Sequence, residues 1–466
     1  MAKPSEILLS KFPFEPTSGQ KELFRMFDTF LLDKDLVKPT LTIRGYAGTG
    51  KTTVIGAVVN MLPFFNMKYV LMAPTGRAAK VMSSYSKRTA FTIHKKIFQQ
   101  TEEPGEGLRF SRQKNYHTST LFIVDEASML SDQSDYGTKG LLTELMDYVF
   151  EKEGNRLLLI GDVAQLPPVG SAESPALEAS YLKHNFKTDN FSIELTEVMR
   201  QEESSGILYN ATQLRKELSK EKFDIKFTTG QFKDIFKMTG ERLEDGLRYA
   251  YDKYGTENTV IVCRSNKNAV QYNQYIRRAI QYREDELEAG DILMIVRNNY
   301  HYLPENTPGG FLANGDFVEV MKIVRFEDVY GLRFATLNLR LLDYPDHEPF
   351  EAKVILDTLY TPEASLPSTE QKKLYEQVVE DYADVESKGE RIKLIKKDPY
   401  LNALQVKFAY ALTCHKSQGG QWEAVFLDQG YLNEDMIDQD YLRWLYTAVT
   451  RASKELFLVN FHQKFF

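Results

Sequence analysis

The segment Gly45-Tyr46-Ala47-Gly48-Thr49-Gly50-Lys51-Thr52 has the spacing G-x-x-x-x-G-K-[ST], that of a phosphate-binding loop. Its glycines let backbone N–H groups turn inward and wrap phosphate oxygens. A helix beginning near Lys51 aims the positive end of its dipole at the same phosphates. Lys51 is then expected to reach the β and γ phosphates of a nucleotide, and the Thr52 hydroxyl to hold Mg2+. Gly45, Ala47, Gly48, Thr49, Gly50 and Thr53 complete the expected nucleotide cradle. The alternative, a glycine-rich turn with no ligand, is disfavoured by the strand before it and the helix after it.

Two further apolar runs lead into polar chemistry. Leu121-Phe122-Ile123-Val124 ends at Asp125 and Glu126. Asp125 is suited to holding Mg2+ through water, and Glu126 to activating the attacking water as general base. Such runs are common at strand ends, and the loop upstream gives this one its meaning. Leu158-Leu159-Ile160 ends at Gly161-Asp162-Val163-Ala164-Gln165-Leu166-Pro167-Pro168-Val169-Gly170, where Gln165 is a candidate γ-phosphate sensor. A rigid loop would also account for these prolines and glycines. Arginine suits the transition state of phosphoryl transfer, but residue type alone singles out neither Arg200 nor Arg451, since a lone arginine is ordinarily a surface or ion-pair residue.

These groups need a scaffold that gathers strand ends. Residues 40–44, 69–73, 121–124 and 157–160 read as buried strands, and 51–62 as a helix stopped by Pro63. Buried strands alternating with helices predict a parallel sheet covered on both faces, with ligands at the carboxyl ends of its strands. Residues 99–118 are polar and lack helical periodicity, so an inserted β-hairpin and a surface loop fit equally well. A second alternating unit begins near residue 201, with a strand at 259–263 and a helix at 268–282. From 290 to 404 the pattern becomes that of antiparallel strands, with Asn314-Gly315 and Tyr330-Gly331 as turns and a charged, helical stretch at 368–397. Residues 404–412 and 424–427 return to buried strands. The expected class is α/β. One RecA-like P-loop domain spans 1–200 and carries the 99–118 hairpin, a second spans 201–289 and 405–466, and a β-rich domain at 290–404 is inserted in the latter.

Composition narrows the partners. The chain has 466 residues, 42% hydrophobic and 26% charged, with net charge −7. A protein that coats nucleic acid carries a basic surface, so a strand bound here must use a local basic groove, with affinity falling as salt rises. Cys263 and Cys414 are the only cysteines, too few for a zinc site or a disulfide framework, which points to a reducing, cytoplasmic setting. The N-terminal residues lack the apolar core of a signal peptide. No run approaches the roughly 18 apolar residues of a membrane span, so no membrane partner is expected.

Taken in order, the motifs resemble those of superfamily 1 helicases of the B subclass, RecD- and Dda-like. GYAGTGKT resembles helicase motif I, APTGRAAKVM (73–82) motif Ia, Thr92-Ile93-His94 motif Ib, and VDEAS motif II. GDVAQLPPVG resembles motif III, LTEVMRQ motif IV, ALTCHKSQGGQW (411–422) motif V, and LYTAVTRA (445–452) motif VI. The match runs from near residue 17 to near 459. GDVAQLPPVG and HKSQG are specific to this group, whereas motif I is shared by many NTPases.

The resemblance implies an ATP- and Mg2+-dependent DNA helicase that moves 5′ to 3′ on single-stranded DNA and acts at single-strand/duplex junctions as a monomer. It implies that Gln20 reads adenine, that Arg200 and Arg451 are arginine fingers, and that Thr75, His94, Asn266, Thr413, His415 and Lys416 touch the strand. It also implies that the 99–118 hairpin is a duplex-splitting wedge, with Phe110 as its aromatic and Tyr116 as the substitute, and that 290–404 is an SH3-like domain. Gln421 stands where the family often has glutamate, which leaves nucleotide preference less fixed. Turnover of Arg451→Ala is expected to fall by roughly 10³-fold or more with ATP binding kept. A nucleotide switch for a protein partner and a translocase that does not separate strands are the rival readings. The pathway stays open among repair, recombination, plasmid transfer and phage replication.

Overall fold

The computed structural model describes residues 2–103, 107–133, 139–199, 204–299, 301–303, 312–344 and 347–466, without the side chains of 100–103 and 107–110. In chain order the strands of the first half are β1 (Thr40–Gly45), β2 (Lys68–Ala73), β3 (Ala90–Thr92), a hairpin of β4 (Phe98–Glu103) and β5 (Gly107–Arg112), then β6 (Thr120–Val124), β7 (Arg156–Gly161) and β8 (Asn190–Leu195). All but the hairpin form one parallel sheet in the order β3-β2-β6-β7-β1-β8. Its central strands β6 and β7 carry continuous apolar runs because both faces are covered. Leu121, Ile123, Leu158 and Ile160 pack into one core, and Phe122, Val124, Leu157 and Leu159 into the other. The order places the carboxyl ends of β1, β6 and β7 at one edge of the sheet, which is where the loop glycines, Asp125-Glu126 and Asp162–Gln165 begin.

The second half contains β9 (Ile235–Met238), β10 (Thr259–Cys263), β11 (Ile292–Ile295), β12 (Phe317–Val329), β13 (Leu332–Leu341), β14 (Phe350–Ile355), β15 (Leu404–Phe408), β16 (Ala411–Thr413), β17 (Trp422–Asp428) and β18 (Ala452–Val459). A parallel sheet runs β16-β10-β17-β18-β9, and β11 to β15 close into a small barrel, the form expected of an SH3-like insertion. Its last strand extends to Phe408, four residues past the boundary read from sequence at 404. The run LQVKF is buried at every position, so no alternation marks it as barrel rather than sheet. The charged stretch at 368–397 is two helices, Ser368–Asp381 and Lys388–Lys397, because Ser387 caps a new helix through Glu390 N–H. The helix expected at 268–282 starts earlier, at Asn266 behind a Ser265 cap, and its last turn at Ile276–Ile280 is π-helical.

The chain leaves and re-enters the second half through a polar neck. Tyr410 donates from its hydroxyl to Asp291 (2.9 Å) and accepts from Ile292 N–H (3.1 Å). Arg277 and Arg283 both pair with the same buried Asp291. The barrel docks on the first half through Arg77–Asp343 (3.8 Å), Lys80–Asp343 (3.4 Å) and Lys95–Asp316 (3.6 Å), with both carboxylates fully buried. The Arg77 guanidinium lies over the rings of Phe317 and Trp422, 5.0 and 4.8 Å from their centroids, joining three parts of the chain.

Candidate nucleotide site and nucleic-acid interface

The phosphate loop leaves β1 and enters the helix Lys51–Met61, whose first residue follows Gly50 in the left-handed conformation (φ 80°). A side chain at Gly50 would also meet Met199 Sδ at 2.5 Å and Gln20 Nε2 at 2.7 Å, so glycine is required there twice over. The Lys51 ammonium donates to the Gly45 and Tyr46 carbonyls at 2.6 and 2.9 Å, and is thereby held against the loop it serves. Thr52 and Thr53 occupy the first turn of that helix. Gln20 is fully buried: its amide donates to the Thr49 carbonyl (3.0 Å) and accepts from Thr17 N–H (3.0 Å). It therefore fixes the back of the loop through both ends of its amide.

Asp125 and Glu126 follow β6 directly. Asp125 Oδ1 accepts from Glu126 N–H (2.9 Å) and Oδ2 from the Tyr85 hydroxyl (2.7 Å). Glu126 has a left-handed backbone (φ 53°), rare for a residue with a side chain and of the kind that gathers at functional sites. Burial, then the charge of Glu126, push the Asp125 carboxyl up to about 6, while Lys51 pulls it down. Burial raises Asp162 as well, again opposed by Lys51 and reinforced by Glu126. Lys51, Asp125, Glu126 and Asp162 thus share one electrostatic pocket. Hydroxyl and carboxylate oxygens at Thr52 and Asp125 are the donor set that suits a hard divalent cation. Gln165 is 5% exposed, and its Oε1 has no hydrogen-bond partner among the described residues, so an acceptor stands ready beside Asp162.

The second half reaches this pocket through residues that sequence reasoning did not single out. The Tyr446 hydroxyl donates to Asp162 Oδ2 (2.7 Å) and accepts from Ala47 N–H (2.9 Å). Thr447 Oγ1 accepts from Leu166 N–H (2.8 Å), and the Gln418 amide donates to the Leu166 carbonyl (2.7 Å). Ala164 and Leu166 are buried within the second half's core, so the loop after β7 is plugged into it. Arg215, on the helix Gly206–Glu217, lies 4.3 Å from the ring centroid of Tyr46. Tyr446 lies inside the motif that holds Arg451, and its neighbourhood was the one available signal. Arg451 itself is 3% exposed and turned into its own half, donating to the carbonyls of Thr447 (3.0 Å) and Gly420 (3.1 Å). Arg200 lies outside the described residues. Met199, beside it, donates its N–H to the Gly48 carbonyl (2.9 Å), which brings that segment to the phosphate loop.

The strand candidates fall on both halves. Thr75 caps the helix Gly76–Ser86 through Ala78 N–H (3.2 Å). Gly419 has φ +72°, and a Cβ there would lie 3.0 Å from Thr75 Oγ1, so motifs Ia and V touch across the cleft. His94 packs beside Phe98 (5.7 Å between rings), and burial lowers its pKa to about 4, leaving it neutral. Asn266, Thr413 and Lys416 line one cleft together with Lys407 from β15, a cation not anticipated from sequence. His415 is exposed beside them. Burial lowers Lys416 to about 8, and burial followed by the charge of Lys416 lowers Lys407 to about 7. In the hairpin, Phe110 pairs through its backbone with Gln100, and its side chain lies outside the described residues. Tyr116 lies beyond β5 and is 80% exposed. Gln421 is exposed, and both cysteines are buried and free.

A loop with the spacing of a phosphate-binding loop, carboxylates at the ends of β6 and β7, and a second parallel-sheet half bonded to this region are the arrangement of a P-loop motor. The sequence comparisons agree. Residues 18–235 match the AAA domain family and residues 408–459 the UvrD-like helicase C-terminal domain. The ATP-dependent DNA helicase dda of Enterobacteria phage T4 is 25% identical over 95% of this chain and 99% of its own. The ATP-dependent RecD2 DNA helicase of Deinococcus radiodurans is 32% identical over 37% of this chain and 21% of its own. A Pif1 helicase from Bacteroides, solved with ADP-AlF3 and single-stranded DNA, aligns over 97% of this chain and 94% of its own at 14% identity, with a TM-score of 0.47. The two family models and the RecD2 and Dda relatives support a superfamily 1B helicase of the RecD/Dda-like kind. Among the described residues, no helix is long and apolar enough to cross a membrane.

Proposed function

We propose that this protein is an ATP-driven motor that moves 5′ to 3′ along single-stranded DNA and unwinds duplex at junctions, working as a monomer in the cytoplasm. The observation that carries the reading is Tyr446, one hydroxyl from the second half bonded to both the phosphate loop and Asp162. A change at the nucleotide is thereby felt across the cleft on which the strand candidates lie.

Lys51 and the loop N–H groups hold the β and γ phosphates. Glu126 takes the proton of the attacking water, Gln165 orients that water by its free acceptor, and Arg200 and Arg451 stabilise charge on the leaving phosphoryl group. For Arg451 this requires the guanidinium to leave the carbonyls of Thr447 and Gly420 when nucleotide closes the cleft. Thr52 and Asp125 would hold Mg2+, which supplies charge neutralisation at the β and γ oxygens. Thr75 and His94 on one half, and Asn266, Thr413, His415 and Lys416 on the other, grip the strand alternately. Only different affinities in the open and closed states can drive such stepping.

The test is ATP hydrolysis with and without single-stranded DNA, alongside unwinding of duplexes with a 5′ or a 3′ tail. Strong stimulation and unwinding from the 5′ tail alone are expected. No stimulation by any nucleic acid would sink the reading.

A further inference from the structure

The Tyr85 hydroxyl donates a 2.7 Å hydrogen bond to Asp125 Oδ2, the carboxylate assigned to the metal. No motif named above contains Tyr85. It is the next-to-last residue of the helix Gly76–Ser86, and the opposite end of that helix is capped by Thr75, a strand candidate touched by motif V. The remaining oxygen of Asp125 is taken by the backbone of Glu126 (2.9 Å). That backbone bond belongs to the strand end and moves only with the sheet. The Tyr85 bond belongs to the helix and moves with it. Eleven residues of α-helix form a rod of about 16 Å that transmits displacement with little bending.

We infer that Tyr85 is a positioning residue: it fixes the Asp125 carboxylate for the cation and ties it to the helix that meets the DNA strand. The inference rests on the proposed function, in which Asp125 holds Mg2+ and Thr75 contacts DNA. When the strand presses on the amino end of the helix, the hydroxyl at the far end shifts the carboxylate, and DNA binding is read at the metal. A phenylalanine in this position keeps the ring packing and removes only the donor.

The test is Tyr85→Phe, followed by two quantities. One is the Mg2+ midpoint for binding of a fluorescent ADP analogue, which needs no turnover. The other is the fold stimulation of ATP hydrolysis by single-stranded DNA. The midpoint is expected to rise about fivefold or more, and stimulation to fall by a similar factor, with metal-free nucleotide binding and thermal midpoint near wild type. Wild-type values of either quantity overturn the inference, as does an equal loss of binding with and without Mg2+. Asp125→Asn is the control for the underlying assignment. If that variant keeps the Mg2+-dependent gain in binding, the metal role of Asp125 fails, whatever Tyr85→Phe shows.

Discussion

Tyr446 stands 2.7 Å from Asp162 and 2.9 Å from the Ala47 N–H, a side chain of the second half bridging two loops of the first. It is 1% exposed, so water does not compete for either bond. Tyr446→Phe removes a donor to a buried carboxylate, an interaction worth about 1.5–3 kcal/mol. DNA-stimulated turnover is expected to fall about 10- to 100-fold, with nucleotide affinity changed only a few-fold. Steady-state hydrolysis and nucleotide titration on the same preparation check this. A variant with unchanged turnover would show that the bridge is merely structural.

Asp125 carries a pH dependence of known sign. Burial and Glu126 raise its carboxyl to about 6. Between about pH 4 and pH 6 the folded chain keeps a proton that the unfolded chain has lost, so this group disfavours folding increasingly as pH rises through that window. Cation binding needs the ionised form and must expel that proton. Mg2+ affinity of the nucleotide-loaded protein is therefore expected to fall about tenfold per pH unit below about pH 6 and to level off above it. Calorimetric titration of Mg2+ on both sides of that value decides the matter, and an affinity flat through pH 6 contradicts it.

Strand binding should respond to pH in the opposite direction. Lys407 and Lys416 are lowered by burial to about 7 and about 8, so at mildly alkaline pH the cleft has lost much of its positive charge. A phosphate drawn into the cleft favours the ammonium forms and takes up protons. Affinity for single-stranded DNA is expected to strengthen by about tenfold or more from pH 8.5 to pH 6.5. Fluorescence anisotropy at constant ionic strength measures it. Lys407→Met should remove a good part of the slope, and a slope unaltered in that variant would exclude Lys407 from the interface.

Gly76 and Asp316 show how tightly the barrel docks. A Cβ on Gly76 would lie 2.2 Å from Asp316 Oδ1, which is fully buried. Gly76→Ala is expected to cost about 1–3 kcal/mol by overpacking, read as a lower thermal midpoint. Asp316→Ala in the same chain should recover part of the loss, although it leaves Lys95 without its partner carboxylate. Strict additivity of the two substitutions would argue against the contact.

The glycine-rich loop between β1 and the helix Lys51–Met61 was legible in the sequence because its backbone geometry constrains the residue types. Glycine suits φ +80° at Gly50 while Met199 and Gln20 crowd it, and Lys51 beside it folds back on the carbonyls of Gly45 and Tyr46. The first parallel sheet was legible because strands buried on both faces favour unbroken apolar runs, as at Leu121–Val124 and Leu157–Ile160. Tyr85, Tyr446 and Arg215 were not legible. A tyrosine that bonds a carboxylate through its hydroxyl has the same local sequence as one that merely packs, and its partner lies 40 residues away for Tyr85 and 284 for Tyr446. The barrel boundary was missed because LQVKF is buried on all sides. The burial of Arg451 was also hidden, since its motif states the residue type but not the direction in which the guanidinium turns.

The neck at Asp291 and Tyr410 makes the barrel a detachable cassette. β11 and β15 are antiparallel neighbours, with Leu293 opposite Phe408, so the chain departs and returns about 5 Å apart. Closing so short a gap takes little chain, and the cost of a longer or shorter loop grows only slowly with its length. Lineages could therefore exchange, enlarge or trim everything between those two strands while the sheet that joins Thr259–Cys263 to Ala411–Thr413 stays in register. The engine and its accessory can evolve at different rates, because the backbone crosses between them at these two strands, where Arg277, Arg283, Asp291 and Tyr410 clasp it through hydrogen bonds and ion pairs.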